Sequence, residues 1–246
     1  MKRNIITLVI VILVIITAFS MYSRYQRNKA YGEQAQRIYS SGVSNPPSSV
    51  EELKAAIAAN EKKLERYVND AAQTGIYWKL LASRLQDRGL HGEALQALKK
   101  AAYYYPEDPS VQYNIGLSAG VMAKASHEFP GNYNAEKEEY YFLAENAFLR
   151  AIDLDGRYLR PKYGLGVLYV FELDRPEDAI PHLLKYLEIS RNDIDTMFVL
   201  SRAYYMTRNY KAAIDLYDRI ITLTRDAQKR EDAQNNRQLV MEQMNG

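Results

Sequence analysis

The sequence predicts an all-α chain in which antiparallel helix pairs stack into a solenoid behind one apolar N-terminal helix. Three observations carry that prediction. Residues 5–19 form an uncharged and almost wholly apolar run. From Gly75 onward, small and large apolar residues recur in a unit of about 34 positions. No grouping of side chains suited to catalysis or metal binding interrupts that pattern.

The N-terminal run comes first. A helix over residues 4–22 would extend about 28 Å at about 1.5 Å per residue, close to the thickness of a bilayer core. Tyr22 and Tyr25, with Arg24 and Arg27, suit the headgroup level beyond it. The expectation is a retained membrane anchor over 1–29, with its basic flanks. The alternative is a cleaved signal peptide with Ala18-Phe19-Ser20 as a small-x-small site, which would leave an exported soluble protein. Against cleavage, no Gly or Pro breaks the helix ahead of that site, and bulky Met21 and Tyr22 follow it. Basic residues flank both ends, so orientation leans only on the shortness of the tail before the span. That favours a cytoplasmic N-terminus and an extracytoplasmic domain.

Charge is laid out unevenly. The chain of 246 residues holds 32 basic and 30 acidic side chains, yet residues 1–29 carry five basic groups and no acid. The remainder is therefore slightly acidic. Nucleic-acid affinity depends on clustered Lys and Arg neutralising phosphates, so the balance argues against that partner. The absence of Cys removes disulfides, thiolate zinc sites and a Cys nucleophile.

Residues 30–74 should hold a polar juxtamembrane helix, a turn and a capping helix. Ala30, Tyr31, Ala35, Ile38 and Tyr39 fall at helical spacing, and Gly42, Pro46 and Pro47 break what precedes them. Ser49 and Glu52 then form the Ser-x-x-Glu capping box that opens a helix. Val50, Leu53, Ile57, Leu64, Tyr67 and Ala71 make one apolar stripe, interrupted at Asn60. A helix at 50–72 laid on its own domain is expected, and a seam between two copies is the alternative.

The repeats follow. The first, 75–108, shows Trp78, Leu81-Ala82, Leu85, Gly89, Ala94, Leu98, Ala101 and Pro106. The second, 109–158, shows Tyr113-Asn114-Ile115-Gly116, Ala119, Ala144, Phe148, Ala151 and Leu154-Asp155-Gly156, with an insertion at about 124–140. The third, 159–193, shows Tyr163-Gly164-Leu165-Gly166, Tyr169, Ala179, Leu183 and Tyr186. The fourth, 194–225, shows Met197, Leu200-Ser201, Tyr204, Tyr210, Ala213, Tyr217 and Ile220, without a closing Pro. These residues resemble the tetratricopeptide repeat (TPR), a helix-turn-helix unit with Trp, Leu-Gly and Tyr in its first helix and Ala, an aromatic, Ala and Pro after it. Independently, Ala82, Gly116, Gly166 and Ser201 put small residues where two helices must approach closely. Residues 226–246, with Ala233, Val240 and Met244 on one face, read as a helix sealing the open end.

The chemistry expected of an enzyme is not found. His91, His127 and His182 have no second His or carboxylate at the spacing of a metal motif, and no Gly-x-Ser-x-Gly or phosphate-cradling loop occurs. No cofactor is expected. The resemblance implies a right-handed helical-repeat solenoid whose first helices line a concave groove that holds a peptide or amphipathic helix of a partner. The inward places would be Lys79, Ser83 and Gln86, then Tyr113, Leu117 and Val121, then Tyr163, Val167 and Phe171, then Phe198, Arg202 and Tyr205. On that pattern the groove grows apolar and aromatic after the first repeat. Two alternatives stay open: the insertion or the last helix fills the groove, or the chain is an oligomeric structural subunit of an envelope assembly.

Overall fold

The computed structural model describes residues 21–26, 29, 49–126 and 135–245. The proposed span at 4–22, the segment 30–48 and the centre of the insertion lie wholly or mostly outside them. Among the described residues, no helix is long and apolar enough to cross a membrane. The chain divides into two compact units, Met1–Arg66 and Tyr67–Gly246.

The described part of the first unit is helical at 21–26 and through the start of α1, Val50–Asp87. The capping box forms as the sequence requires. The Ser49 amide donates to Glu52 Oε2 at 3.2 Å, and the Glu52 amide donates back to Ser49 Oγ at 3.1 Å. Two orphan amide groups at the helix start are thereby satisfied.

The expected separation between a capping helix at 50–72 and a first repeat from 75 does not occur, because α1 is continuous over 38 residues. Nothing between Ala71 and Trp78 breaks a helix except Gly75, and Gly75 is held by close packing. A Cβ there would stand 2.6 Å from both Tyr104 and Tyr105. Nor is the apolar stripe buried: Val50, Ile57, Leu64 and Tyr67 are all exposed.

The second unit is built of helix pairs. After α1 come α2 (His91–Tyr104), α3 (Pro109–Ala125), α4 (Ala135–Leu154), α5 (Leu159–Phe171), α6 (Pro176–Ile189), α7 (Ile194–Met206), α8 (Tyr210–Leu223) and α9 (Ala227–Asn245). Each helix packs on the next from α2 to α9, and α5 also touches α3 and α7. That second set of contacts makes the first helices of successive repeats an inner layer. Helix starts are capped where the sequence offers an acceptor. Asp108 takes the Ser110 and Val111 amides ahead of α3, and Asp193 takes the Thr196 amide ahead of α7.

The small-residue rule holds inside the pairs. Ala82 and Ser201 are fully buried, and Cβ atoms on Gly116 and Gly166 would collide with Phe148 and Leu183 respectively. Large residues fill the remaining space, with Leu165, Leu183, Met197, Leu200 and Ile220 fully enclosed. Trp78, by contrast, is only half-buried at its end of the stack.

The insertion is partly helix. α3 runs on to Ala125 and α4 starts at Ala135, so the described edges of the insertion at about 124–140 belong to these two helices. This gives the second pair helices of 17 and 20 residues where α5 has 13 and α6 has 14. In α9, Ala233 and Val240 are buried as expected but Met244 is exposed.

Candidate functional site

The inner faces of α3 and α5 enclose a pocket of about 230 Å³. Tyr113, Leu117 and Val121 line it from α3, and Tyr163 and Val167 from α5, five of the nine groove residues expected after the first repeat. They meet because positions four apart on a helix share a face and α3 touches α5.

Glycines make the space. Without side chains at Gly116 and Gly164, the Phe148 ring of α4 comes up from behind to form the floor. A Cβ on Gly116 would lie 2.6 Å from that ring, and one on Gly164 2.9 Å. Gly120, one turn further along α3, has nothing within 4 Å of its missing Cβ, so its face is open. Leu117 and Val121 stand exposed beside it, at 39% and 36%.

The two ends of the pocket differ. At one, Tyr113 stacks edge-on to Tyr158 at 5.5 Å and lies 6.0 Å from Phe148, while Tyr163 lies 6.3 Å from Tyr186. Burial pushes the Tyr163 hydroxyl up from its ordinary pKa, with Asp195 and Asp193 adding to the shift, so it stays a neutral donor. At the other end sits a charged lip. Glu172 accepts from the Tyr141 hydroxyl at 2.7 Å and pairs with Lys124 at 2.9 Å. Burial pushes the Glu172 carboxyl up, but the Lys124 and Tyr141 hydrogen bonds outweigh it and hold the group below the usual carboxylate range. A carboxylate capping the C-terminus of α5 opposes the helix dipole, and these partners offset that too.

The groove does not continue as expected at either side. In the first repeat, Lys79 is tied to Asp108, and Gln86 donates to the Asn114 carbonyl at 3.2 Å and to Ser118 Oγ at 2.8 Å. Those two inward places join α1 to α3, and Ser83 is exposed. Phe171 is 55% exposed and does not line the pocket, because it ends α5 beyond the reach of α3. Phe198 borders a separate polar recess with Asp195, Lys229, Asp232, Asn235 and Asn236. Arg202 lies over the Tyr205 ring at 5.4 Å, as a cation–π pair requires, beside Asn236, Leu239 and Gln243 of α9. The inner face is therefore polar, then apolar between α3 and α5, then polar again where α9 joins it.

Sequence reasoning missed Gly120, the Phe148 floor and the Lys124–Glu172–Tyr141 lip. Gly116 and Gly120 are four apart on an inward face, and that spacing is the signal that would have found the opening.

Helix pairs joined through an inner layer of first helices define the architecture. The fold is that of a TPR solenoid. Solved structures agree. YrrB, described as a TPR protein with an unusual peptide-binding site, superposes with a TM-score of 0.58 at 18% identity, over 74% of this chain and 83% of its own. MamA from Desulfovibrio magneticus RS-1, residues 41 to the end, gives 0.54 at 17% identity over 69% of this chain and 94% of its own. A thermophilic TPR protein of Thermus thermophilus gives 0.53 at 16% identity over 72% of this chain and 86% of its own.

By sequence, a TPR repeat-containing protein of Borreliella burgdorferi is 23% identical over 70% of this chain and 73% of that protein. Anaphase-promoting complex subunit 3 of Schizosaccharomyces pombe is 24% identical over 78% of this chain, which spans only 28% of that protein. No family model matches. Among the described residues, no group of three or more His, Asp or Glu is placed to hold a metal ion.

Proposed function

We propose that this chain is a membrane-anchored TPR scaffold that holds an apolar segment of a partner protein in the pocket between α3 and α5. The observation behind this reading is the shape of the pocket. An engineered apolar cavity of about 150 Å³ admits benzene, and small-molecule sites span about 300–1,000 Å³. At about 230 Å³, this pocket suits one or two apolar side chains of a peptide or amphipathic helix better than a metabolite. Tyr rings at one end and a charged lip at the other would fix the segment's direction. The peptide-binding site described for YrrB supports the class of partner.

Anchoring rests on residues 4–22, with the N-terminus in the cytoplasm and the repeats outside it, within an envelope assembly. Intact mass of the membrane-extracted protein tests the anchor, and a mature chain starting at Met21 would refute it.

The binding reading is tested with a photo-cross-linking amino acid at Leu117, compared with one at exposed Lys100 on α2. Cross-links from Leu117 to an apolar peptide are expected, and they should disappear in Gly120→Leu, which fills the opening while the melting temperature holds. Cross-links that survive Gly120→Leu, or that form equally well at Lys100, would overturn the site.

A further inference from the structure

The apolar stripe at the start of α1 is long, regular and largely exposed. Val50, Ile57 and Leu64 are 60%, 56% and 64% exposed, and Leu53 between them is half-buried. With Asn60 and Tyr67 they recur at alternating spacings of three and four, the a and d positions of a two-stranded coiled coil. Isolated side chains exposed to this degree are ordinary, but four aliphatic residues and a tyrosine aligned over about two and a half heptads are not.

The charges flanking the row select its occupant. We propose that a second copy of this chain covers the stripe, with the two α1 helices antiparallel. In an antiparallel pair, each a residue meets a d residue of the other helix, and e positions face e positions. The register that sets Leu53 against Leu64 also sets Val50 against Tyr67 and Ile57 against Asn60. Lys54 and Glu61 both occupy e positions, and this register brings each opposite the other, twice by symmetry. Sliding one heptad in one direction opposes Lys54 with Lys54, and in the other Glu61 with Glu61. In a parallel pair each e position meets the g position five residues before it, so Lys54 faces Ser49 and Glu61 faces Ala56, neither of them an opposite charge. One arrangement thus satisfies both the apolar row and the charges. It also sets the two Asn60 amides in adjacent layers across the dyad, a polar pair of the kind that fixes register at some cost in stability.

The chain has no Cys, so introduced ones report unambiguously. Full-length Leu53→Cys and Leu64→Cys chains are oxidised separately and as a mixture. A disulfide needs Cα atoms within about 7 Å, which this pairing supplies only across the two different positions. The expected result is a strong mixed dimer with little dimer in either chain alone. Charge reversal is the second arm, carried on the same Cys pair. Lys54→Glu should lower mixed cross-linking several-fold, as should Glu61→Lys, and Lys54→Glu with Glu61→Lys should restore it.

A Leu53→Cys dimer without its Leu64→Cys partner means parallel pairing and overturns the proposal. Absence of every cross-link also overturns it, and points to a different occupant such as residues 30–48 of the same chain. So does a charge-swapped pair that stays as weak as its parents.

Discussion

Gly116 and Gly120 look interchangeable in the sequence, one turn apart on the inward face of α3, yet the structure gives them opposite roles. A methyl on Gly116 would meet the Phe148 ring at 2.6 Å, inside a packed interface, whereas one on Gly120 meets nothing within 4 Å. Gly116→Ala should therefore destabilise by about 1–3 kcal/mol through overpacking. Gly120→Ala should stabilise by about 0.5–1 kcal/mol, because Ala loses less backbone entropy in a helix. Thermal or denaturant melts of the two variants decide it, and equal shifts of the same sign would contradict the geometry. The repeat pattern identified Gly116 as a close-packing place but did not single out Gly120, nor show which of the two faces a ring and which faces open space. That distinction depends on where Phe148 points, and periodicity does not encode it.

At the scale of elements, most of the plan was legible. Ser49 and Glu52 announced the start of α1, and the recurring Ala, Tyr and Leu positions located each pair. What periodicity could not foresee was continuity: 50–72 and the first repeat carry helix-compatible residues throughout, so only tertiary packing at Gly75 shows that one helix serves both. The insertion at about 124–140 has helical edges in the structure, and the acidic residues Glu136 and Glu138 suit the first turn of α4.

The packing of α5 on α6 yields a pH-dependent prediction. His182 lies 6.2 Å from the Tyr169 ring, and burial holds its imidazole pKa below the ordinary value, with Lys185 and Lys162 adding to the effect against Asp178. The unfolded chain therefore takes up a proton at a higher pH than the folded one. This contribution to stability is complete above about pH 6.5, the unfolded value, and is lost as pH falls toward the folded one. His182→Gln should flatten that part of the melting profile between about pH 7 and about pH 5. An unchanged slope would mean that His182 stays hydrated.

On the scale of the whole molecule, stacking has a consequence that single pairs do not. In a solenoid each repeat is stabilised by its neighbours, so an exposed end frays unless something seals it. α9 is the seal of the second unit. It lays Ala233 and Val240 on α8, where Ala213, Leu216, Tyr217 and Ile220 are buried, and Lys229 Nζ lies 2.5 Å from Asp195 Oδ1 of α7. Arg230 meanwhile donates to the Thr224 carbonyl at 2.6 Å, fixing the turn into α9. Val240→Asp would bury a carboxylate without a partner, at a cost of about 2–4 kcal/mol, unless α9 releases it into water. Release is the cheaper course at a chain end, so the variant should fray locally before it unfolds. Hydrogen exchange should then show protection lost first in α9 and α8, next in α7, while α3 to α5 around the pocket stay protected. Leu165→Ala, in the middle of the stack, should instead lower protection across all the pairs. If Val240→Asp weakens every helix equally, the second unit unfolds as one cooperative body, and nearest-neighbour stacking does not describe it.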